Sequence, residues 1–363
     1  MKKLIAISVM LALVTGAVFA QTAVSGALEA RWFIIMDDTI GDDTPPATNA
    51  TLDTAYVQLR TTSDDGKVGG LVRVRQQDNG YHRVFLFWRP IPELRIFLGR
   101  DADGQFSTGD ALTDWQFHQG SEGTNARHNW AFWRSVFPGN WDSLGLAVSY
   151  YGVENLTLNL VLPVGTAPEL ANLYPFGLQL SANYRIPDIG TAFFSYVGSG
   201  KSFEQIDDPN ERAGFGRIGI SFMLTAIQGL RAQLGLSFDP AIHGPAVPWR
   251  IGFGLHWNSG NFGIKTRGAI CFNTNDTGEN IGPAVKDSGV YWTFNIMPHY
   301  TLKNVSFYCD FVFDMNTNNE YLSWFITPYV RYRSFRAGLW LESNTQDNAK
   351  LKYKIPVRVE LSF

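Results

Sequence analysis

The sequence predicts an all-β chain: a single transmembrane antiparallel β-barrel of about 18 strands, or 16 if weak segments such as 81–89 drop out. Three observations carry this expectation. Apolar and polar residues alternate with period two from one end of the chain to the other. The alternating runs are about 9–13 residues long, the length of a tilted membrane-crossing strand and longer than the ~5–6 of a soluble sheet. The connections between them alternate between short turns and longer polar segments.

The segments expected to be strands are 22–36, 51–62, 66–77, 81–89, 93–101, 143–153, 155–162, 176–186 and 189–198. They continue with 213–224, 229–238, 248–257, 260–272, 288–299, 302–313, 320–333, 335–343 and 351–363. In the first, Leu28, Ala30, Trp32 and Ile34 alternate with Glu29, Arg31 and Phe33. Leu230, Ala232, Leu234, Leu236 and Phe238 form a mid-chain row. The last segment places Ile355, Val357, Val359, Leu361 and Phe363 on one face and Arg358, Glu360 and Ser362 on the other. A soluble sandwich also alternates. The length of the runs and the Arg, Gly, Ser, Thr and Asn content of the second face favour the barrel. Short turns are expected at Ser63-Asp-Asp-Gly-Lys67, Pro187-Asp188 and Asn258-Ser-Gly-Asn261. Longer connections fall at 37–50, 199–212, 239–247 and 273–288. Trp32, Trp88, Tyr196, Trp257 and Phe313 stand at strand ends, where aromatic girdles sit in membrane barrels. An even strand number leaves both termini on the short-turn side.

Residues 1–20 read as a cleaved signal peptide and 21–363 as the barrel. Lys2 and Lys3 precede an apolar stretch beginning at Leu4, and Val18-Phe19-Ala20 ends it with a cleavage pattern, so Gln21 is the expected first mature residue. Loss of Lys2 and Lys3 leaves 28 Lys+Arg against 33 Asp+Glu. That balance lacks the clustered basic excess of a nucleic-acid binder. Aromatics make up 14% of the chain and there are 35 Gly, yet no apolar run is long enough for a spanning helix. Cys271 and Cys309 fall on opposite faces of non-neighbouring strands and form no disulfide framework.

Several motif fragments carry no chemistry. Gly214-Phe-Gly216-Arg-Ile-Gly219 matches a dinucleotide fingerprint but lies inside an alternating strand instead of opening a helix. Gly198-Ser-Gly-Lys201-Ser202 lacks the first glycine of a phosphate loop, with Ser195 in its place. The six histidines have no metal-ligand spacing. No enzyme activity and no cofactor are expected.

The informative constellation is the inward face of the first strands. The outward apolar rows leave Arg31, Arg60, Arg73, Arg75 and Arg83 pointing inward, with Arg89 and Arg95. After the fifth strand comes the longest non-strand segment, 102–142. With Asp101 just before it, this stretch holds Asp103, Asp110, Asp114 and Glu122 and has no Lys or Arg before Arg127. If it folds into the lumen, acids face an arginine wall and create a transverse field.

The layout resembles the trimeric general-diffusion porins of Gram-negative outer membranes. In that family the segment after the fifth strand bends inside, and its acids face wall arginines. The resemblance also makes the terminal aromatic, Phe363, a tag read by the barrel-assembly machinery. The segment "DADGQFSTGDALTDW" departs from the family's Pro-Glu-Phe-Gly-Gly turn, and eighteen strands exceed its usual sixteen. Homotrimer and monomer both stand as expectations. Eighteen strands look more like the substrate-specific channels, whose lumens carry aromatic slides; Tyr291, Tyr308, Tyr329 and Trp340 face inward here.

The function expected is passive diffusion of small hydrophilic solutes across an outer membrane. Mild anion preference follows because inward Arg and Lys outnumber Glu29, Asp310, Glu342 and Glu360. The expected partners are outer-membrane lipid, the assembly machinery and the solutes, with no nucleic acid. The alternatives are a hydrophobic-substrate transporter, which would want an N-terminal plug, and a non-conducting surface barrel acting as an adhesin through 37–50, 102–142 and 199–212. Sequencing of the exported protein from its N-terminus tests the first twenty residues: Gln21 is the expected start, and an intact Met1 would contradict cleavage.

Overall fold

The computed structural model describes residues 20–39, 47–75, 80–101, 145–163, 178–197, 217–238, 249–272, 290–316, 321–345 and 350–362. They are strands and turns throughout. In chain order the strands are β1 (Ala20–Thr39), β2 (Ala47–Ser63), β3 (Val68–Arg75), β4 (Gly80–Ile91), β5 (Leu94–Asp101), β6 (Gly145–Val153) and β7 (Leu156–Pro163). Next come β8 (Gln179–Ile186), β9 (Gly190–Val197), β10 (Arg217–Leu224), β11 (Leu230–Phe238), β12 (Trp249–Ser259) and β13 (Phe262–Phe272). The last are β14 (Val290–Leu302), β15 (Val305–Asn316), β16 (Tyr321–Tyr332), β17 (Phe335–Gly338), β18 (Trp340–Asn344) and β19 (Lys352–Ser362).

Strands pair antiparallel with their chain neighbours, and β1 pairs with both β2 and β19. The sheet therefore has no free edge, which is how a barrel satisfies the backbone groups that an open sheet leaves unpaired. β17 and β18 do not pair with each other; both lie between β16 and β19. They are two halves of one arm interrupted at Leu339, whose N–H donates to Pro328 O at 3.0 Å. Nineteen strand pieces thus make the eighteen arms expected, and the segment expected at 335–343 is the divided one.

Period-two alternation becomes two surfaces. Exposed apolar side chains such as Val57, Leu59, Leu98, Ile220, Leu234, Val359 and Leu361 all belong to the outward rows. Trp32, Trp88 and Trp257 are exposed on the same surface. An apolar surface running round the whole wall is far beyond the few hundred Å2 a soluble monomer tolerates.

The connections described in full all lie at one end: 64–67, 92–93, 154–155, 187–189, 225–229, 260–261, 303–304 and 333–334. Most turn through one residue in the left-handed region, namely Asn155, Asp188, Lys303 and Arg333, or Gly66, Gly229 and Gly260. At Gly66 (φ 68°) the turn is pinned by its neighbours: Lys67 N–H and Ser63 Oγ–H both donate to Asp65 Oδ1, at 3.0 and 2.7 Å. The Lys67 N–H, followed by the Ser63 hydroxyl, holds the Asp65 carboxyl below its ordinary pKa. The expected connection 37–50 is shorter than the sequence suggested, because β1 runs to Thr39 and β2 starts at Ala47. These tips carry no apolar alternation, and ladder hydrogen bonds need none.

A charge on the outward face tests the two-surface arrangement. Leu234, 62% exposed at the centre of β11, is the test position. Leu234→Arg should destabilise the protein folded in lipid bilayers by about 2–4 kcal/mol, read by denaturant unfolding. A change within experimental error would contradict the outward assignment.

Candidate luminal site

The inward face of the first strands carries the arginines picked out from sequence, and the register sorts them. Gln58, Arg73, Arg83 and Asp101 occupy successive cross-strand positions on β2, β3, β4 and β5. Arg75 pairs with Tyr56 on one side and Gly80 on the other. Arg73 is held on both flanks: its Nε donates to Gln58 Oε1 at 2.9 Å, and its guanidinium lies 4.4 Å from the centre of the Tyr56 ring. Arg60 is exposed nearer the turns, opposite Ala23 and Leu71. Arg31 belongs elsewhere, opposite Thr51 on β2 and Arg358 on β19. Arg31, Arg75, Arg83 and Asp101 are placed by their backbone only. Asp103, Asp110, Asp114, Glu122 and Phe363 lie outside the described residues, as does the whole 102–142 segment.

Sequence reasoning missed an apolar patch on this same inward face. Leu71, Phe85, Phe87, Phe97, Ala147 and Val161, from β3, β4, β5, β6 and β7, form one buried cluster. Phe85 meets Phe97 edge-on at 5.7 Å, and Phe87 lies 6.3 Å from Phe97. The Arg95 guanidinium sits 4.3 Å from the centroids of both Phe87 and Phe97, a pairing worth up to about 2 kcal/mol when desolvated. Gly69 is required here, since a Cβ on it would stand 2.5 Å from the Phe87 ring. The signal was present in β4, whose Val84-Phe-Leu-Phe-Trp88 is apolar on both faces, the pattern of a strand covered on both sides.

The far wall, β12 to β19, is built in rows. His299, Tyr308 and Tyr329 stack across β14, β15 and β16, with centroids 5.5 and 4.6 Å apart and planes 19° and 5° from parallel. Tyr329 Oη–H reaches Met297 Sδ at 3.8 Å, and Gly338 opposite leaves it space. Of the inward aromatics expected from sequence, Tyr308 and Tyr329 therefore adjoin, while Trp340 stacks on Phe325 at 5.1 Å. Lys354 Nζ lies 5.0 Å from the Trp340 ring and 3.8 Å from Glu342 Oε2. Asn295 Nδ2–H donates to Asp310 Oδ1 at 2.6 Å. Buried cations are frequent on this wall; Arg250 is wholly buried, and Arg267, Arg336 and Arg358 nearly so.

Arg31, Arg358, Arg336 and Arg331 occupy one cross-strand row, on β1, β19, β17 and β16. Arg336 reaches Glu360 at 3.3 Å, and Arg331 Nε–H donates to Arg333 O at 3.3 Å. This row was not legible as a group, because its members come from opposite ends of the chain. Among the described residues no set of three or more His, Cys, Asp or Glu is gathered to hold a metal ion.

No protein-family model matches the chain, and no curated protein matches it significantly in sequence. Solved structures do match in shape. The anion-selective porin from Comamonas acidovorans is 13% identical, with a TM-score of 0.52 over 95% of this chain and 100% of its own. The outer membrane channel DcaP of Acinetobacter baumannii is 12% identical, with a TM-score of 0.53 over 95% and 98%. OpdL of Pseudomonas aeruginosa is 12% identical, with a TM-score of 0.54 over 95% and 99%. At these identities the likeness is one of fold: this chain has the large antiparallel β-barrel architecture of outer-membrane porins.

Proposed function

We propose that this protein is a passive outer-membrane channel through which small hydrophilic solutes diffuse, with a mild preference for anions. The observation that carries the reading is the contrast between the two faces of one closed wall. Outside it is apolar all round; inside, among the described residues, Arg and Lys outnumber Asp and Glu. A lumen with fixed positive charge raises the local concentration of anions and lowers that of cations. Passage requires no bond chemistry and no cofactor. Export by the 1–20 signal peptide and recognition of Phe363 by the assembly machinery belong to the same reading.

The 102–142 segment is proposed to fold into the lumen. It leaves the wall after β5 and returns at β6, the strands that carry Phe97 and Ala147 of the inward apolar patch. An apolar patch has no reason to face a water-filled lumen; the segment's sequence contains Trp115, Phe117, Trp130, Phe132 and Trp133, which would cover the patch if the segment folds inside. Asp103, Asp110, Asp114 and Glu122 would then lie near Arg73 and Arg83, so the constriction would be acid against base.

Planar bilayers under a potassium chloride gradient test the channel. A reversal potential of the anion-selective sign is expected, and the cation-selective sign would contradict the charge reading. Arg73→Ala with Arg75→Ala should lower the anion-to-cation permeability ratio; an unchanged ratio would make that wall a bystander. Phe85→Asp with Phe97→Asp should raise single-channel conductance by releasing the segment. Unchanged conductance in heat-modifiable, folded protein would contradict its seat on the patch. Absence of any conductance from folded protein would favour the surface-barrel alternative.

A further inference from the structure

Three prolines stand in the interior of strands in one part of the wall: Pro298 in β14, Pro328 in β16 and Pro356 in β19. Proline has no N–H to give a ladder, so within sheets it is confined to edges, first residues and bulges. Pro90 and Pro163 stand at the ends of β4 and β7. The other three do not, and each leaves the same mark. The β14–β15 pairing lapses after Ile296–Phe311 and resumes at His299–Tyr308 in unchanged register. β16 pairs with the 335–344 arm up to Ile326–Leu341 and again from Tyr329–Gly338, with Pro328 in the gap. That arm's pairing with β19 stops at Ala337–Val357 and restarts at Trp340–Lys354, with Pro356 in the gap. The interruption at Leu339 therefore has its cause in the neighbouring strands. Leu339 N–H donates to Pro328 O at 3.0 Å, and Pro328 has no N–H to return.

The lapses line up. Cys309 pairs with Pro328, and the register carries the same row to Pro298 on one side and to Leu339 and Ile355 on the other. Ile355 meets Ile35, where β1 bulges against β19 and, between Phe33 and Met36, against β2. The ladders joining β10, β11, β12 and β13 run without a lapse. Hydrocarbon offers no water to replace a lost ladder bond, so losses set side by side call for a use.

Side chains divide at the same line. On the side away from the short turns, Val312, Phe325 and Trp340 form a buried cluster, and Asn295 is bonded to Asp310. On the short-turn side stand the stacked rings of His299, Tyr308 and Tyr329. The Tyr329 Oη–H contact to Met297 Sδ, at 3.8 Å, is a weak tie across the line. We infer that the row is a hinge in the wall, about which the far halves of β14 to β19 tilt against the halves that carry the short turns. Ladder bonds that prolines omit are bonds that bending need not break, and bulges bend the strand that carries them. Tilting moves Trp340, Lys354 and Glu342 relative to the lumen axis and so sets the width of the lumen at their level. The hinge deepens the channel reading and rests on it for its effect on conductance.

Hydrogen–deuterium exchange on the full chain in lipid nanodiscs reads the hinge without conductance. The amides of Cys309, Gly338 and Leu339 should exchange at least tenfold faster than those of Leu255 and Thr266, which face each other in the unbroken β12–β13 ladder. Pro328→Val supplies an N–H opposite Leu339 and should slow exchange there tenfold or more; Pro298→Val should do the same for Cys309. Heat-modifiable gel migration establishes that each variant is folded, and the comparison within the unmodified protein decides the matter if neither folds. Equal protection at the row and at Leu255 and Thr266, or exchange unchanged in a folded variant, would overturn the hinge. In planar bilayers the unmodified protein should step between conductance levels, and Pro298→Val with Pro328→Val should cut the time spent off the main level tenfold. A single level in both proteins would overturn the hinge's action on the lumen. The two readings fail separately: a conducting protein with a fully protected row sinks the hinge, and fast exchange at the row of a folded protein that never conducts sinks the channel.

Discussion

Everything in this molecule depends on the pairing of β1 with β19. Leu28 with Leu361, Ala30 with Val359 and Arg31 with Arg358 join residues from opposite ends of the chain. Without that ladder, two strands would present unpaired N–H and C=O groups, each costing several kcal/mol in hydrocarbon, where no water can replace the lost partner. Closure also makes inside and outside different places. Once the wall is a ring, a residue's parity along its strand decides whether it meets lipid or lumen, and a slip of one residue would exchange the two faces.

That constraint explains why so unrelated a sequence shares its architecture with porins at 11–13% identity. The outward rows need only be apolar, and Leu, Val, Ile, Phe and Trp substitute for one another there. The inward rows are freer still, so chemical individuality collects on them. Here they separate into two walls. One side, β3 to β7, combines arginines with a buried aromatic patch; the other, β12 to β19, carries stacked rings and buried cations.

The fold was legible because each strand repeats the same simple signal. Leu230 to Phe238 or Ile355 to Leu361 alternates cleanly, and turns such as Ser63 to Lys67 announce themselves through Gly66 and the carboxylate of Asp65. The interruption at Leu339 was not legible, since Phe335 to Leu341 keeps its alternation straight through it. Inward arginines were found one strand at a time from parity. Their grouping was not, because grouping is a property of register. Arg73 and Arg83 adjoin as neighbours in sequence suggest, but Arg31 leaves that group for Arg358, Arg336 and Arg331, three hundred residues or more further along the chain. The apolar patch escaped for a different reason: Phe85 and Phe87 break alternation in β4, which looked like a weak strand instead of one covered on both faces.

The two-faced wall around a wet lumen is tested most directly along a single stretch of β2. Val57 and Leu59 face outward and are exposed there, while Gln58 and Arg60 face inward. Single cysteines at 57, 58, 59 and 60, placed in a chain lacking Cys271 and Cys309 and folded into vesicles, are exposed to a charged, membrane-impermeant thiol reagent. Labelling at 58 and 60, with protection at 57 and 59, is the result expected of lipid outside and water inside. Equal labelling at all four positions, or the opposite alternation, would contradict it.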